Sequence, residues 1–262
     1  MKKEKPLILV TNDDGITAPG IRNLIEVMNE LGEVIVVAPE SHMSGQGHAI
    51  TIDSTLYCDA IKIDDGPQKE YKSNGTPVDC VKLAIDQILD RKPDLLVSGI
   101  NHGSNSSINV IYSGTMSAAV EGGIEGIPSI GFSLTNYKWD ADFEAARHYA
   151  RLIAEQVLEA GGNLPSPFIL NVNIPYLPLN EIKGIKVVRQ AHAKWEEAYD
   201  KRINPQGREY YWLTGEFINL DQGTDTDEYA LKNGYVSVVP VTIDLTHYKL
   251  IDKLDKWLGH KS

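Results

Sequence analysis

Cysteine and long hydrophobic runs are scarce in this sequence. The 262 residues include two cysteines, Cys58 and Cys80, too few for the disulfide framework of a small secreted protein. No stretch approaches the roughly 18 apolar residues that a membrane-spanning helix needs. Only four apolar residues, 7–10, follow the basic first residues, and this run is shorter than a signal-peptide core. We expect reduced thiols, a cytoplasmic location and no membrane partner.

Positive charge is also in deficit. Twenty-five basic residues stand against 36 acidic ones, giving a formal net charge of −11. Such a surface repels a polyphosphate backbone, so long nucleic acids are excluded as main partners. A small anionic substrate would need a bound cation or the backbone amides at a helix start.

Three familiar nucleotide-binding and hydrolase motifs are missing. The sequence has no G-x-x-x-x-G-K-[ST], no G-x-G-x-x-G and no G-x-S-x-G, which argues against a P-loop NTPase, a dinucleotide-dependent dehydrogenase and a serine hydrolase. The seven histidines show no H-E-x-x-H or other zinc-binding spacing.

Short apolar runs alternate with amphipathic helical patterns over the first 175 residues. The runs at 7–10, 34–37, 95–97 and 168–170 do not alternate with polar residues, as is typical of parallel strands covered by helices on both faces. The pattern predicts an α/β fold, a Rossmann-like three-layer parallel sheet. A β-hairpin insertion is predicted at 48–74, with strands at 49–53, 56–64 and 69–73.

The pattern changes after residue 175. Aromatic residues concentrate between residues 191 and 219, which predicts a hairpin or arm, and we favour an oligomer contact over a ligand site for them. A last strand at 235–239 and a closing helix at 250–258 follow. We predict a metal- and phosphate-binding core at 1–175, and at 176–262 an oligomerisation arm with closing elements that does not fold independently.

Polar residues follow the predicted strands where ligands bind in an open parallel sheet, at the carboxyl ends. Asp13 and Asp14 follow the first strand, Ser44 lies in the loop after the second, and Asn101 follows the third. Two adjacent carboxylates above a buried sheet need a counter-charge, and oxygen donors select Mg²⁺, Mn²⁺ or Ca²⁺. Asn-Asp-Asp-Gly is also a common turn sequence.

Two helix starts are suited to an anion. Thr76 precedes Pro77 and a helical pattern, and we interpret it as a helix cap. The turn formed by Ser113, Gly114 and Thr115 precedes a small-residue helix, and phosphate binding and plain capping are equally compatible with it. His102 is a candidate substrate contact or proton donor, with a structural role as the alternative.

Together these motifs resemble the SurE (survival protein E) 5'/3'-nucleotidase family. The matching segments, in chain order, are LVTNDDG at 9–15, VAP at 37–39 with Ser44-Gly45, GTPVDCV at 75–81, VSGINHG at 97–103, YSGT at 112–115, NVNIP at 171–175 and GYVS at 234–237. The resemblance implies hydrolysis of nucleoside monophosphates, and in some members of short polyphosphate. It also implies a homodimer or homotetramer with exchanged C-terminal arms.

The resemblance further implies one divalent metal per subunit, Mg²⁺ or Mn²⁺, on ligands that match Asp13, Asp14, Ser44 and Asn101. We hypothesise that a water activated at this metal attacks phosphorus in line. Ser113, Gly114 and Thr115 would hold the phosphate, and Asn12, Asp13 and Asn101 are the candidate catalytic residues. The segment 41–43 departs from the charge usual in relatives, which leaves substrate preference open.

Three alternatives stay open at the level of sequence. Asp13 could form a covalent intermediate, although a carboxylate committed to a metal is a poor nucleophile. The same site could serve a non-catalytic nucleotide sensor, or a sugar-nucleotide transferase, whose folds also place carboxylates at strand ends. The sequence does not specify the preferred base or the choice between 5' and 3' phosphate.

Overall fold

A nine-stranded sheet forms the centre of the structure, a computed structural model that describes residues 5–259. In chain order its strands are β1 (Leu7–Thr11), β2 (Glu33–Pro39), β3 (Cys58–Ile61), β4 (Lys69–Ser73), β5 (Leu95–His102), β6 (Ser129–Leu134), β7 (Ile169–Ile174), β8 (Ile185–Val187) and β11 (Val236–Pro240). The remaining two, β9 (Ala193–Ile203) and β10 (Glu209–Asn219), form a separate antiparallel hairpin. The sheet order is β3-β4-β2-β1-β5-β6-β7-β11-β8, antiparallel only at β3/β4 and β7/β11.

Six α-helices lie within the described residues. They are α1 (Pro19–Leu31), α2 (Pro77–Leu83), α3 (Gly114–Ile124), α4 (Glu144–Ala160), α5 (Asp227–Lys232) and α6 (Tyr248–Leu258). Helices α1 and α4 pack together on one face, and α2 and α3 pack together on the other. The predicted α/β class with a mostly parallel, helix-covered sheet is confirmed. None of the helices in the described range has the length and hydropathy needed to cross a membrane.

The apolar run of β1 does not alternate with polar residues because both faces of the strand are buried. All five of its residues are buried. Ile8 and Val10 join the core under α1 and α4, whereas Leu7 and Leu9 join the core under α2. Each fully buried aliphatic side chain contributes about 1.5–3 kcal/mol to folding, so both faces of β1 stabilise the sheet that carries the candidate site.

The predicted insertion at 48–74 is correct only in part. Residues 49–53 do not form a strand, and the predicted strand 56–64 is limited to β3. The first difference has a physical reason: the Thr51 backbone N–H donates to Asp79 (3.0 Å) and the Ala49 carbonyl accepts from Thr76 (2.7 Å). The β3–β4 hairpin also extends the main sheet, because β4 pairs in parallel with β2.

The sheet continues beyond residue 175. Strand β11 pairs with β7, and β8 pairs with β11. The division of the chain at residue 175 therefore stays a prediction and does not coincide with the edge of the sheet. The predicted hairpin, last strand and closing helix are confirmed as β9–β10, β11 and α6.

Candidate active site

The turn after β1 places two buried carboxylates at the carboxyl edge of the sheet. Asp13 and Asp14 are both buried. The Asn12 amide donates to the Gly15 carbonyl (2.9 Å), and Gly15 adopts a φ of +99°, so this segment is also the turn that its composition predicts. The Asn12 Oδ1 atom is buried and accepts no hydrogen bond from the described residues.

The first turn of α3 lies directly against Asp13. The Thr115 hydroxyl donates to Asp13 Oδ1. A Cβ atom on Gly114 would lie 2.7 Å from Asp13 Cβ, closer than real Cβ contacts allow. Ser113 is the N-cap of the helix, since its hydroxyl accepts from the Met116 N–H (3.0 Å). The glycine therefore lets a helix N-terminus approach the carboxylate pair.

Burial and the neighbouring Asp14 charge raise the pKa of Asp13 to about 6, although hydrogen bonds from Thr115 act in the opposite direction. Burial disfavours the ionised form, and a second carboxylate beside it adds repulsion. A bound cation would remove both penalties. The donor set therefore suits a hard divalent ion, and the unpartnered Asn12 oxygen is a further hard donor at the same edge.

The loop after β2 crosses the Asp13–Asp14 turn. The Met43 N–H donates to the Asp13 carbonyl (2.8 Å), and His42 Nδ1 lies 3.4 Å from Asp14 Oδ1. Ser44 follows directly and is exposed. The structure thus brings the backbone beside Ser44 to the carboxylates, as expected of two strand ends that meet at one edge.

The end of β5 meets the same turn from the other side. The His102 backbone N–H donates to Asp14 Oδ2 (3.2 Å). Asn101 is buried, and its side-chain amide N–H donates to the Gly103 carbonyl (2.9 Å). The side-chain oxygen of Asn101 is therefore available as a metal ligand. The segment 98–103 is predicted to follow the third strand, but residues 98–102 belong to β5, with a shift in the β5–β6 register between Ser98 and Asn101.

The His102 ring packs against the loop after β6. Its Nδ1 atom lies 3.0 Å from the Lys138 carbonyl oxygen. The ring stacks on Trp139 with 5.2 Å between centroids and meets Phe143 edge-on at 5.3 Å. The backbone of His102 thus donates a hydrogen bond to Asp14, while its side chain packs with Trp139 and Phe143. Its predicted contact with substrate stays a prediction.

The sequence patterns did not signal two groups of residues, the aromatic residues after β6 and the buried Glu121. The aromatic residues of the loop after β6 gave no periodic signal, because the loop belongs to neither a strand nor a helix. Glu121, buried in α3, contacts His48 (2.9 Å) and Lys82; a single charge in a small-residue run could have signalled it.

Within residues 5–259 no cluster of three or more His, Cys, Asp or Glu side chains could hold a metal, so any metal site at this edge depends on two carboxylates and neutral oxygens.

A carboxylate pair facing a helix N-terminus, at the carboxyl edge of a mostly parallel sheet, defines a class of α/β protein suited to bind a cation and an anion together. The model of the family described as Survival protein SurE matches residues 8–197. The chain belongs to the SurE family.

Individual relatives agree over nearly the full length. A protein of Christiangramia forsetii, named 5'-nucleotidase SurE, is 67% identical over 258 residues, 98% of each chain. The protein of the same name from Flavobacterium psychrophilum is 63% identical over 97% of this chain and 98% of its own. The crystal structure of the SurE protein from Aquifex aeolicus is 43% identical, with a TM-score of 0.81 over 96% of this chain and 99% of that one. The family resemblance read from the motifs is confirmed.

Proposed function

We propose that this chain is a metal-dependent 5'/3'-nucleotidase that hydrolyses nucleoside monophosphates to nucleoside and phosphate, and that also accepts short polyphosphate. Relatives with the name 5'-nucleotidase SurE, at up to 67% identity, support the activity. The observation that carries the proposal is the buried Asp13–Asp14 pair in contact with the first turn of α3.

One divalent cation per subunit, Mg²⁺ or Mn²⁺, would be held by Asp13, Asp14, Ser44 and Asn101. Two carboxylates with hydroxyl and amide oxygens form a hard-oxygen donor set. A cation bound there supplies charge neutralisation at phosphate and lowers the pKa of a water molecule. The raised pKa of Asp13 supports this assignment, because the ionised pair is unfavourable without a counter-charge.

The start of α3 would bind the phosphate. Backbone amides at a helix N-terminus favour an anion. Because the Thr115 hydroxyl is committed to Asp13 and the Ser113 hydroxyl caps the helix, Ser113 and Gly114 would contact phosphate through their backbone. Thr115, which hydrogen-bonds Asp13 through both its side chain and its backbone, would contribute by holding Asp13 beside the phosphate. Asn12 Oδ1, buried and unpartnered within the described residues, would accept a hydrogen bond from the attacking water, and the Asn101 side chain would help to orient it.

We propose a homodimer or homotetramer whose contacts include β9–β10 and α6. Helix α6 has no buried residue within the chain, and its exposed face carries Leu250, Ile251, Leu254, Trp257 and Leu258. Apolar surface of this extent is typical of an interface. The cytoplasmic location stays a prediction.

The test is phosphate release from a panel of nucleoside monophosphates with Mg²⁺, Mn²⁺ or EDTA, for the parent, Asp13→Asn and the control Asp65→Asn. Asp65 lies in the exposed β3–β4 turn. Loss of groups that merely orient metal ligands costs about 10–100-fold, so removing a direct ligand should cost about a hundredfold or more. The control should retain full activity.

Each failure has a distinct meaning. Metal-dependent nucleotide binding without phosphate release would indicate a sensor, and transfer to an acceptor would indicate a transferase. Full metal-stimulated turnover by Asp13→Asn would contradict the assignment of Asp13. Trapping of an aspartyl-phosphate on Asp13 would favour covalent catalysis over attack by water.

A further inference from the structure

An exposed indole stands beside the candidate active site without an assigned role. Trp139 lies in the loop between β6 and α4, and 57% of its surface is exposed. One face of its ring is covered by the His102 ring, which is nearly parallel to it at an interplanar angle of 11°. The exposed area therefore includes the opposite face, which presents a planar aromatic surface on which a flat ligand can stack.

A short chain of contacts joins this indole to the carboxylate pair. The residue that Trp139 stacks on, His102, donates its backbone N–H to Asp14. Tyr137, on the same loop and 76% exposed, stands next to Gly103. Gly103 adopts a φ of +105°, and a Cβ atom there would lie 2.2 Å from the Tyr137 ring. The two exposed aromatic residues thus flank the segment 101–103 that contributes to the candidate metal site.

The loop that carries Trp139 is fixed at several points. The Thr135 N–H donates to the Ile174 carbonyl (3.0 Å), and the Lys138 N–H donates to Asn136 Oδ1 (2.8 Å). The Lys138 carbonyl is in turn paired with the His102 ring (3.0 Å). The indole is therefore held in position before any ligand binds, which reduces the entropy lost on binding.

We propose that Trp139 is the nucleobase platform of this enzyme, stacking the substrate's base on its open face, with Tyr137 as the neighbouring wall. The inference rests on the proposed nucleotidase function and adds a second contact region to it. In a nucleoside monophosphate the ribose separates phosphate from base, and the contacts from α3 through Asp13 and Asp14 to His102 and Trp139 are the path along which one ligand would lie.

Stacking of this kind has a defined specificity. Every base offers a π-face, so an aromatic platform accepts all of them, and the larger purines overlap more than pyrimidines. Stacking does not require specific hydrogen bonds between the protein and the base. The platform therefore predicts broad use of nucleoside monophosphates with a preference for purines, and no contribution to substrates that lack a base.

The experiment compares AMP with ribose 5-phosphate for the parent, Trp139→Ala and Trp139→Phe. Loss of a base–aromatic stack should raise KM for AMP about fivefold or more in Trp139→Ala. The KM for ribose 5-phosphate and both kcat values should stay close to those of the parent. Trp139→Phe keeps a stacking face and should recover most of the affinity for AMP. Equal changes for both substrates would overturn the proposal.

Tyr112→Ala is the matched comparator, because Tyr112 is another exposed aromatic residue, 49% accessible, that immediately precedes Ser113. If Tyr112→Ala, and not Trp139→Ala, loses affinity selectively for AMP, the base lies on the other side of the site and the proposal is wrong. Equilibrium dialysis of radiolabelled adenosine with the Mn²⁺-loaded protein gives a readout without catalysis. Binding should weaken in Trp139→Ala, and unchanged binding would overturn the platform.

The two proposals fail separately. If the parent releases phosphate from neither substrate, the nucleotidase function is wrong. If the parent hydrolyses AMP and Trp139→Ala shows no selective loss, only the platform is wrong.

Discussion

The candidate active site buries charged and polar groups, whereas the arm formed by β9, β10 and α6 exposes apolar groups in a single chain. At the carboxyl edge of the sheet, charged and polar groups are buried: Asp13 and Asp14 lie next to each other below the first turn of α3. In β9, β10 and α6, apolar groups are exposed: of the 11 residues of β9 only Ala193 is buried, and α6 has none.

The two proposed partners, a cation and a second subunit, differ in chemistry in the same way. Buried like charges are relieved by a cation, and exposed aromatic surface is relieved by another protein surface. The edge should therefore respond to metal and be insensitive to protein concentration, whereas the arm should respond to protein concentration and be insensitive to metal.

The largest effect should come from the core beneath the site. Leu9 in β1 is fully buried, whereas Leu213 in β10 is 60% exposed. Leu9→Ala should lower the free energy of unfolding by about 2–5 kcal/mol. Leu213→Ala should change it by less than about 0.5 kcal/mol in dilute monomer. Urea denaturation measures both, and a Leu213→Ala loss as large as that of Leu9→Ala would show that the arm folds as part of the core.

The arm should control association. Trp212 in β10 is exposed in the single chain, and buried aromatic residues dominate interfaces, often by about 2 kcal/mol or more each. Trp212→Ala should raise the dissociation constant of the oligomer about 30-fold or more, as measured by analytical ultracentrifugation. The midpoint of metal binding should not move. An oligomer of unchanged stability would place Trp212 outside the interface.

The approach of α3 to Asp13 should be sensitive to a single methyl group. Gly114→Ala would force Asp13 or the helix to shift, because the new Cβ would lie 2.7 Å from Asp13 Cβ. We expect about a tenfold loss of kcat/KM, the lower end of what misorienting a metal ligand costs. Gly162→Ala is the control, since nothing lies within 4 Å of a Cβ there. Equal activities of Gly114→Ala and Gly162→Ala would show that the contact between Gly114 and Asp13 does not affect catalysis.

The smallest effect concerns the segment that follows the Ser44 loop. Asp79 closes the capping box of α2 and accepts the Thr51 N–H. Burial would raise the pKa of Asp79, but hydrogen bonds from Thr51 and Thr76 outweigh it and hold the pKa below the ordinary 3.8. A lowered pKa stabilises the fold above the ordinary pKa, and that stability is lost as pH falls through the folded pKa.

Asp79→Asn should therefore lower stability by about 1 kcal/mol near neutral pH, and the difference from the parent should shrink as pH falls below 3.8. Thermal denaturation over a pH series measures this. The exposed Asp65→Asn change should have little effect at any pH. A difference between Asp79→Asn and the parent that stays constant with pH would contradict the role of the ionised carboxylate.

Local patterns explain what could be predicted from the sequence. Unbroken apolar runs identified β1, β2 and β5, and the aromatic concentration identified the β9–β10 hairpin. The positions of the strand ends predict that Asp13, Asp14 and the Asn101 segment lie at one edge, as they do. Thr76 was recognised as a cap because capping depends on a few adjacent residues.

Contacts between distant segments explain what could not. Residues 49–53 were expected to form a strand, but their backbone bonds to the start of α2, nearly 30 residues away in the chain. The commitment of the Thr115 hydroxyl to Asp13 and the stacking of Trp139 on His102 likewise join separate loops. No periodicity within one segment encodes such pairings.

We propose that Asp13, Asp14, Ser44 and Asn101 share one divalent cation. The most direct measurement is anomalous diffraction from crystals of the intact protein soaked in Mn²⁺ at neutral pH. The account predicts one strong peak per subunit between these side chains, absent in crystals of Asp13→Asn. A well-ordered map without a peak at this position, or with the same peak in Asp13→Asn, would contradict it.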